Sequence, residues 1–160
     1  MSKVGFIGLG IMGRPMAKNL LKGGVELLVC DLNEEAVKEV VDAGAEAGSY
    51  AQIGGQCEII FLILPNGDIS KEVLFGQDGV ASALAPGKVV CDMSSVTPVE
   101  SKECFERLAE QGVGFVDAPV SGGEPGAVGG TLAFMAGGRQ EDFDALMPYF
   151  NIMGSSAVLI

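Results

Sequence analysis

Gly8, Gly10 and Gly13 stand at G-x-G-x-x-G spacing between a short apolar run containing Val4, Phe6 and Ile7 and an amphipathic stretch that reaches Leu21. Glycines so spaced, where a strand ends and a helix begins, suit the binding of a pyrophosphate. Gly8 permits the tight turn out of the strand, and Gly10 lets backbone approach the phosphates with no Cβ in the way. Gly13 lets the new helix pack against the strand. Backbone N–H groups near Ile11 and Met12 are expected to be unpaired there, facing the phosphates at the positive end of the helix dipole. An ordinary strand-to-helix turn can also be glycine-rich. The apolar strand before and the amphipathic helix after favour the dinucleotide reading.

Such a site asks for an acidic residue about 20 positions beyond the glycines, where a carboxylate accepts hydrogen bonds from both adenosine ribose hydroxyls. Glu26 to Cys30 reads as the second strand, and Asp31 follows it. The same carboxylate repels a 2'-phosphate, and Leu32, Asn33, Glu34 and Glu35 bring no arginine to hold one. The expected cofactor is therefore NAD rather than NADP. Asp31 has an alternative role as the cap of the helix expected over residues 34–42.

Elements that must position these residues alternate along the chain. A short strand is expected near Ala45 to Ala47, then a polar segment from Ser49 to Gln56. Glu58 to Leu64 is apolar on both faces, as a central parallel strand must be, and Pro65, Asn66 and Gly67 stop it. Helical pieces are expected over Ile69 to Phe75 and Val80 to Leu84, with a strand over Lys88 to Cys91. Thr97, Pro98 and Glu100 form a capping box with proline at the first helical position, predicting a helix from Pro98 to Gln111. Strands over Val113 to Val116 and Thr131 to Ala136, a helix over Glu141 to Phe150 and an apolar strand running to Ile160 complete the pattern. The predicted fold is α/β: a Rossmann-like, doubly wound, mostly parallel sheet in one domain over residues 1–160.

Ligands of such sheets lie beyond the carboxyl ends of the strands. Two tips there, the glycine turn and Asp31, are already assigned. The third is Leu64, Pro65 and Asn66, and the fourth is Asp92, Met93, Ser94 and Ser95, whose hydroxyls can bond a nicotinamide ribose or carboxamide. Pro65 as a strand terminator and the two serines as turn formers are the plain alternatives. Ser121, Gly122 and Gly123 offer a hydroxyl and successive open backbone N–H groups, a nest suited to a carboxylate; the alternative is a flexible glycine loop.

Composition narrows the class further. The chain has 160 residues, 48% hydrophobic, which allows a sizeable core, and its 24 glycines suit many tight strand-to-helix turns. A net charge of -11 with no basic cluster argues against nucleic acid or an anionic membrane as partner. Cys30, Cys57, Cys91 and Cys104 show no CxxC spacing, and three lie in or beside apolar strands, so buried reduced thiols are expected and no metal site. The chain enters a strand directly, without a basic region and apolar stretch ahead of it, and contains no apolar run of about 18 residues. A cytoplasmic protein without signal peptide or membrane span is the expectation.

Four ordered segments, GFIGLGIMGRPMAKNLL, the LPN at Leu64 to Asn66, DMSSVTP at Asp92 to Pro98 and DAPVSGGEPGAVGGTLAFMAGG at Asp117 to Gly138, resemble the β-hydroxyacid dehydrogenase family. That family includes 3-hydroxyisobutyrate dehydrogenase, 2-hydroxy-3-oxopropionate (tartronate semialdehyde) reductase and, more distantly, 6-phosphogluconate dehydrogenase. SGGEP and DMSSV resemble the tartronate semialdehyde reductase branch, with 3-hydroxyisobutyrate dehydrogenase the alternative. The resemblance implies pyrophosphate held by Gly8 to Gly13, adenosine ribose by Asp31, and the nicotinamide side by Leu64, Pro65 and Ser95. It implies a substrate carboxylate at Ser121, Gly122 and Gly123, and hydride transfer at the carbon β to it.

A proton must move with the hydride, and no candidate for that task is found in this chain. It has no histidine; Lys3, Lys18, Lys22, Lys38, Lys71, Lys88 and Lys102, like Tyr50 and Tyr149, are expected far from the crevice. In the family the role falls to a lysine, followed one turn on by an asparagine, on a long helix after the nucleotide domain. The expectation is therefore a nucleotide-binding domain that binds NAD(H) without turnover, lacking the family's all-helical second domain, with oligomerisation belonging to the longer form. A stand-alone nucleotide sensor is the alternative of another class.

Overall fold

The computed structural model describes residues 3–160. Strands β1 (Val4–Ile7), β2 (Leu27–Cys30), β3 (Glu46–Ala47), β4 (Ile59–Leu62), β5 (Val89–Asp92) and β6 (Gly114–Asp117) form one parallel sheet in the order β3-β2-β1-β4-β5-β6. The order reverses between β1 and β4, which opens a crevice at their carboxyl ends.

Alternation along the strands divides the core into two layers. Phe6, Val29, Phe61, Cys91 and Val116 face one way and pack against helices α1 (Gly13–Lys22), α2 (Glu34–Asp42) and α7 (Gln140–Met153). Ile7, Leu28, Ile60, Leu62, Val90 and Phe115 face the other way, against α3 (Tyr50–Gln56), α4 (Gly67–Phe75) and α5 (Pro98–Ala109). Both faces are thus covered, as a parallel sheet requires. A 3-10 turn at Val80–Ala83 carries Val80 and Ala81 into the second layer.

The expected doubly wound sheet is present, but three strands leave it. β7 (Val120–Ser121), β8 (Leu132–Ala136) and β9 (Gly154–Leu159) form a separate sheet in which β7 runs antiparallel to β8, and β8 parallel to β9. The strands expected near Thr131 and after Ser155 therefore belong to this smaller sheet. Two helices also replace expected coil. The polar segment from Ser49 contains α3, closed by a capping box between Ser49 and Gln52. The glycine loop after Ser121 contains α6 (Gly123–Gly129), whose Gly126 and Ala127 are buried. Helix α5 begins as predicted, with Thr97 and Glu100 exchanging hydrogen bonds of 3.2 and 2.9 Å and Pro98 in the first turn.

All four cysteines are free, and three are buried. Burial pushes the Cys57 and Cys104 thiols up to about 11, which keeps them protonated and unreactive at neutral pH.

Candidate functional site

The crevice at the β1/β4 switch holds a cavity of about 330 Å³ lined by Gly8, Gly10, Ile11, Met12, Gly13, Asp31, Ile63, Leu64 and Pro65. Eight of the residues singled out from the sequence come together there. Each glycine has its own reason for lacking a side chain. At Gly8, φ is +105°, and a Cβ would stand 2.0 Å from the Ile63 carbonyl oxygen. At Gly13 a Cβ would stand 2.0 Å from the Gly8 carbonyl oxygen. At Gly10 a Cβ would meet nothing within 4 Å. The protein itself thus gives Gly8 and Gly13 their reason, whereas Gly10 borders open space on the cavity wall and no contact of the fold requires it to be glycine.

Helix α1 starts at Gly13 without a side-chain cap, its N-cap being Met12. Among the described residues no acceptor takes the N–H groups of Gly10, Ile11 and Met12. These donors and the helix dipole make the cavity floor attractive to an anion. Side-chain cations add little, because Arg14 and Lys18 are both drawn to Glu39, at 3.5 and 2.5 Å.

Asp31 joins the first two strand tips. Its Oδ2 accepts the Leu9 N–H at 2.6 Å and its Oδ1 accepts the Asn33 N–H at 2.8 Å. The alternative role as helix cap is not what the structure shows: Asn33 caps α2, its side chain accepting from the N–H groups of Glu35 and Ala36. A carboxylate has about four lone-pair positions, so Asp31 held in this way still has acceptor capacity for ribose hydroxyls. Tyr50 lines no part of the cavity; it packs against the second core layer, and burial first, then Cys30 and Asp31, push its phenol up. Tyr149 lies buried against Phe61, with ring centroids 5.9 Å apart, and Lys88 is buried with its ammonium donating to the Gly54 carbonyl at 2.6 Å.

The two serines after β5 are placed differently. Ser95 is exposed and lines no part of the cavity, whereas Ser94 is buried and its Oγ accepts the Leu64 N–H at 2.8 Å. The Ser94 N–H in turn donates to Asp92 Oδ1 at 3.0 Å, and the Ser70 hydroxyl lies 3.4 Å from Ser94 Oγ. Sequence reasoning named Ser94 among the tip residues without this role. Its parity with Val90 and Asp92 puts Ser94 on the α4/α5 face of the sheet, where the Ser70 hydroxyl lies, but both faces of β5 are buried, so alternation alone does not separate it from Ser95.

Ser121, Gly122 and Gly123 are exposed and stand outside the cavity, with φ of +135° at Gly122 and +58° at Gly123. They are not remote from it. Helix α6 is tied to α1 by Asn19, whose amide donates to the Ala127 carbonyl at 2.8 Å. Glu124, the next residue along, shares an adjoining cavity of about 300 Å³ with Ile11 and Arg14. Among the described residues no cluster of three metal-ligating side chains occurs, and no helix is long and apolar enough to cross a membrane.

Residues 3–160 match the family described as the NAD binding domain of 6-phosphogluconate dehydrogenase. The chain is 46% identical over 153 residues to 2-(hydroxymethyl)glutarate dehydrogenase of Eubacterium barkeri, covering 95% of this chain and 51% of that protein. It is 42% identical over 159 residues to 2-hydroxy-3-oxopropionate reductase of Escherichia coli, covering 99% of this chain and 54% of that one. A solved structure of Mycobacterium tuberculosis 3-hydroxyisobutyrate dehydrogenase with L-serine superposes with a TM-score of 0.94 at 28% identity, over 99% of this chain and 54% of that one. The chain spans about half the length of the curated relatives it matches.

Proposed function

The chain belongs to the family of the NAD binding domain of 6-phosphogluconate dehydrogenase, and from that premise we propose that it is the nucleotide-binding part of an NAD(H)-dependent β-hydroxyacid dehydrogenase. Gly10 is the observation that carries this reading. It lines the cavity, and the space a side chain would occupy there is left open with no protein atom within 4 Å. The residues present therefore fit a dinucleotide. Gly8 to Gly13 supply the backbone donors for the pyrophosphate, Asp31 accepts from the adenosine ribose, and Leu64 and Pro65 border the nicotinamide; Ser95, which stands outside the cavity, is proposed to meet its exposed edge.

When bound, NADH supplies a hydride, and the protein's share is to orient the partners and exclude water. Ser121, Gly122 and Gly123 take the substrate carboxylate through a hydroxyl and open backbone donors. Supporting this, the segment that follows them is docked on α1 beside Ile11. The substrate we propose is tartronate semialdehyde, and 3-hydroxyisobutyrate its nearest competitor. Both carry an alcohol or aldehyde carbon one bond from the carbon that bears the carboxylate. The proton donor is proposed to lie outside these 160 residues, because Asp31, on the ribose side, is the one titratable residue that lines the cavity among the described residues. The cytoplasm is the proposed compartment, a reading supported by four unpaired cysteines.

Fluorescence titration with NADH beside an assay on tartronate semialdehyde tests the reading. Saturable binding in the micromolar to millimolar range without turnover is expected from this chain. Lack of binding at millimolar NADH contradicts the proposal, and turnover by the chain alone contradicts the placement of the proton donor. In a chimera completed with the second half of the 2-hydroxy-3-oxopropionate reductase relative, Ser121→Ala is expected to raise KM for the acid and leave KM for NADH unchanged. Indifference of both constants favours a nucleotide sensor.

A further inference from the structure

Asp92 ends β5 and Asp117 ends β6, and the register of the two parallel strands makes them partners. The pairs before them show which way they point: Val90 and Phe115 both face the layer under α4 and α5, while Cys91 and Val116 both face the other. By the same alternation Asp92 and Asp117 share the α4/α5 face, on strands about 4.8 Å apart. Asp92 is 1% exposed. Each carboxyl keeps one buried oxygen, Oδ2 of Asp92 and Oδ1 of Asp117, without a hydrogen-bond partner.

No cation answers them. From α4, Ser70 and Lys71 face this region, and the Lys71 ammonium lies 3.7 Å from Glu103. From α5 come Ser101, which lines one groove with Asp117 and pulls its pKa down, Lys102, which lies 4.0 Å from Glu106, and Glu100, which is held by the Thr97 N–H. Cys91 and Cys104 are neutral thiols, and Arg139 is engaged by Glu141 and Asp142. Among the described residues neither Asp92 nor Asp117 forms an ion pair. Two neighbouring carboxylates without an ion-pair partner, Asp92 buried and Asp117 half-buried at the edge of a groove it shares with Ser101 and Lys102, do not both ionise at little cost.

We propose that Asp92 and Asp117 share one proton, and that this protonated pair positions Ser94 and, through it, the Leu64 backbone at the nicotinamide side of the cavity. The pair is a pair of positioning residues; neither lines the dinucleotide cavity. The route is short. Asp92 Oδ1 holds the Ser94 N–H, Ser94 Oγ holds the Leu64 N–H, and Leu64 and Pro65 line the cavity wall. Burial first, and the Asp92 charge second, push Asp117 up to about 6, while burial raises Asp92 against the pull of Ser94 and Ser70. The folded chain therefore binds more protons than the unfolded chain between the ordinary aspartate range and about 6. Stability contributed by the pair is full at acid pH and falls as pH rises through that window. The NADH consequence rests on the cavity being the dinucleotide site; the shared proton itself does not.

Thermal unfolding without nucleotide reads the proton directly. The wild type is expected to lose several degrees more than Asp117→Asn between pH 5 and pH 8, and equal losses overturn the shared proton. Carboxyl-carbon NMR of the wild type covers the case of a variant that does not fold: one carboxyl of the pair titrating near or above 6 is expected, and both titrating below about 4.5 overturns the proposal. NADH titrations read the positioning. Affinity is expected to weaken roughly three- to tenfold from pH 5.5 to 8 in the wild type and to stay flat in Asp117→Asn. In Ser94→Ala, NADH binding is expected to be weaker and independent of pH while the melting dependence persists. A Ser94→Ala affinity profile that matches the wild type overturns the route through Ser94. Absence of NADH binding at every pH, with the melting difference intact, overturns the cavity assignment and leaves the shared proton standing.

Discussion

Helices α1 and α5 face the same local problem, four backbone N–H groups without intrahelical acceptors, and resolve it in opposite ways. Helix α5 closes its own start: Thr97 and Glu100 satisfy each other's backbone donors, and Pro98 removes a third. Helix α1 has Met12 where a capping side chain belongs, and its donors at Ile11 and Met12 stay open toward the cavity. A helix that serves only the scaffold is capped for stability, while one whose N-terminus serves a ligand forgoes about 1 kcal/mol of capping to keep its donors free. The three glycines of the turn divide along the same line, Gly8 and Gly13 serving the fold and Gly10, with open space beside it on the cavity wall, proposed to serve the ligand.

The sharpest way to break this comparison is to add one methyl group at each glycine. Gly8→Ala and Gly13→Ala each drive a Cβ to 2.0 Å from a backbone oxygen, so each is expected to cost more than about 3 kcal/mol in urea unfolding, enough to threaten the fold. Gly10→Ala is expected to leave the urea midpoint within about 0.5 kcal/mol of wild type and to weaken NADH binding by roughly ten- to a hundredfold. Equal stability losses at all three positions would erase the distinction. Asp31→Ala is intermediate: loss of the bonds to Leu9 and Asn33 is expected to cost about 1–3 kcal/mol, and the preference for NADH over NADPH should narrow in parallel titrations. Thr97→Ala is the smallest of the series, lowering stability by about 1 kcal/mol with NADH affinity unchanged, since its donors serve only α5.

Much of the cavity was legible because its signals are local. The glycine spacing, the acidic residue after β2 and the proline after β4 each follow a strand visible in the sequence, and strand tips in a parallel sheet share one edge. Helix α5 was legible to its first residue for the same reason, through short-range capping chemistry; α2 also begins where expected, but its cap is Asn33 and not Asp31. Helix α3 went unread although Ser49 and Gln52 spell a capping box, because Gly54 and Gly55 weaken the periodicity after it. Helix α6 went unread because Gly126 and Gly129 have low helix propensity; packing of Ala127 and the Asn19 amide on its backbone hold it in place. The separation of β7, β8 and β9 from the main sheet follows from which strands meet, and periodicity carries no record of that. The same holds for Asp92 and Asp117, which are 25 positions apart in sequence and become neighbours only through the β5/β6 register.

Backbone amide NMR during an NAD⁺ titration tests the central claim most directly, because it reads the donors one at a time at both helix starts. The largest shifts are expected at Gly10, Ile11 and Met12, with Val99, Glu100 and Ser101 at the start of α5 unmoved. Shifts of equal size at both starts, or none at Gly10 to Met12 while the nucleotide binds, would contradict the account.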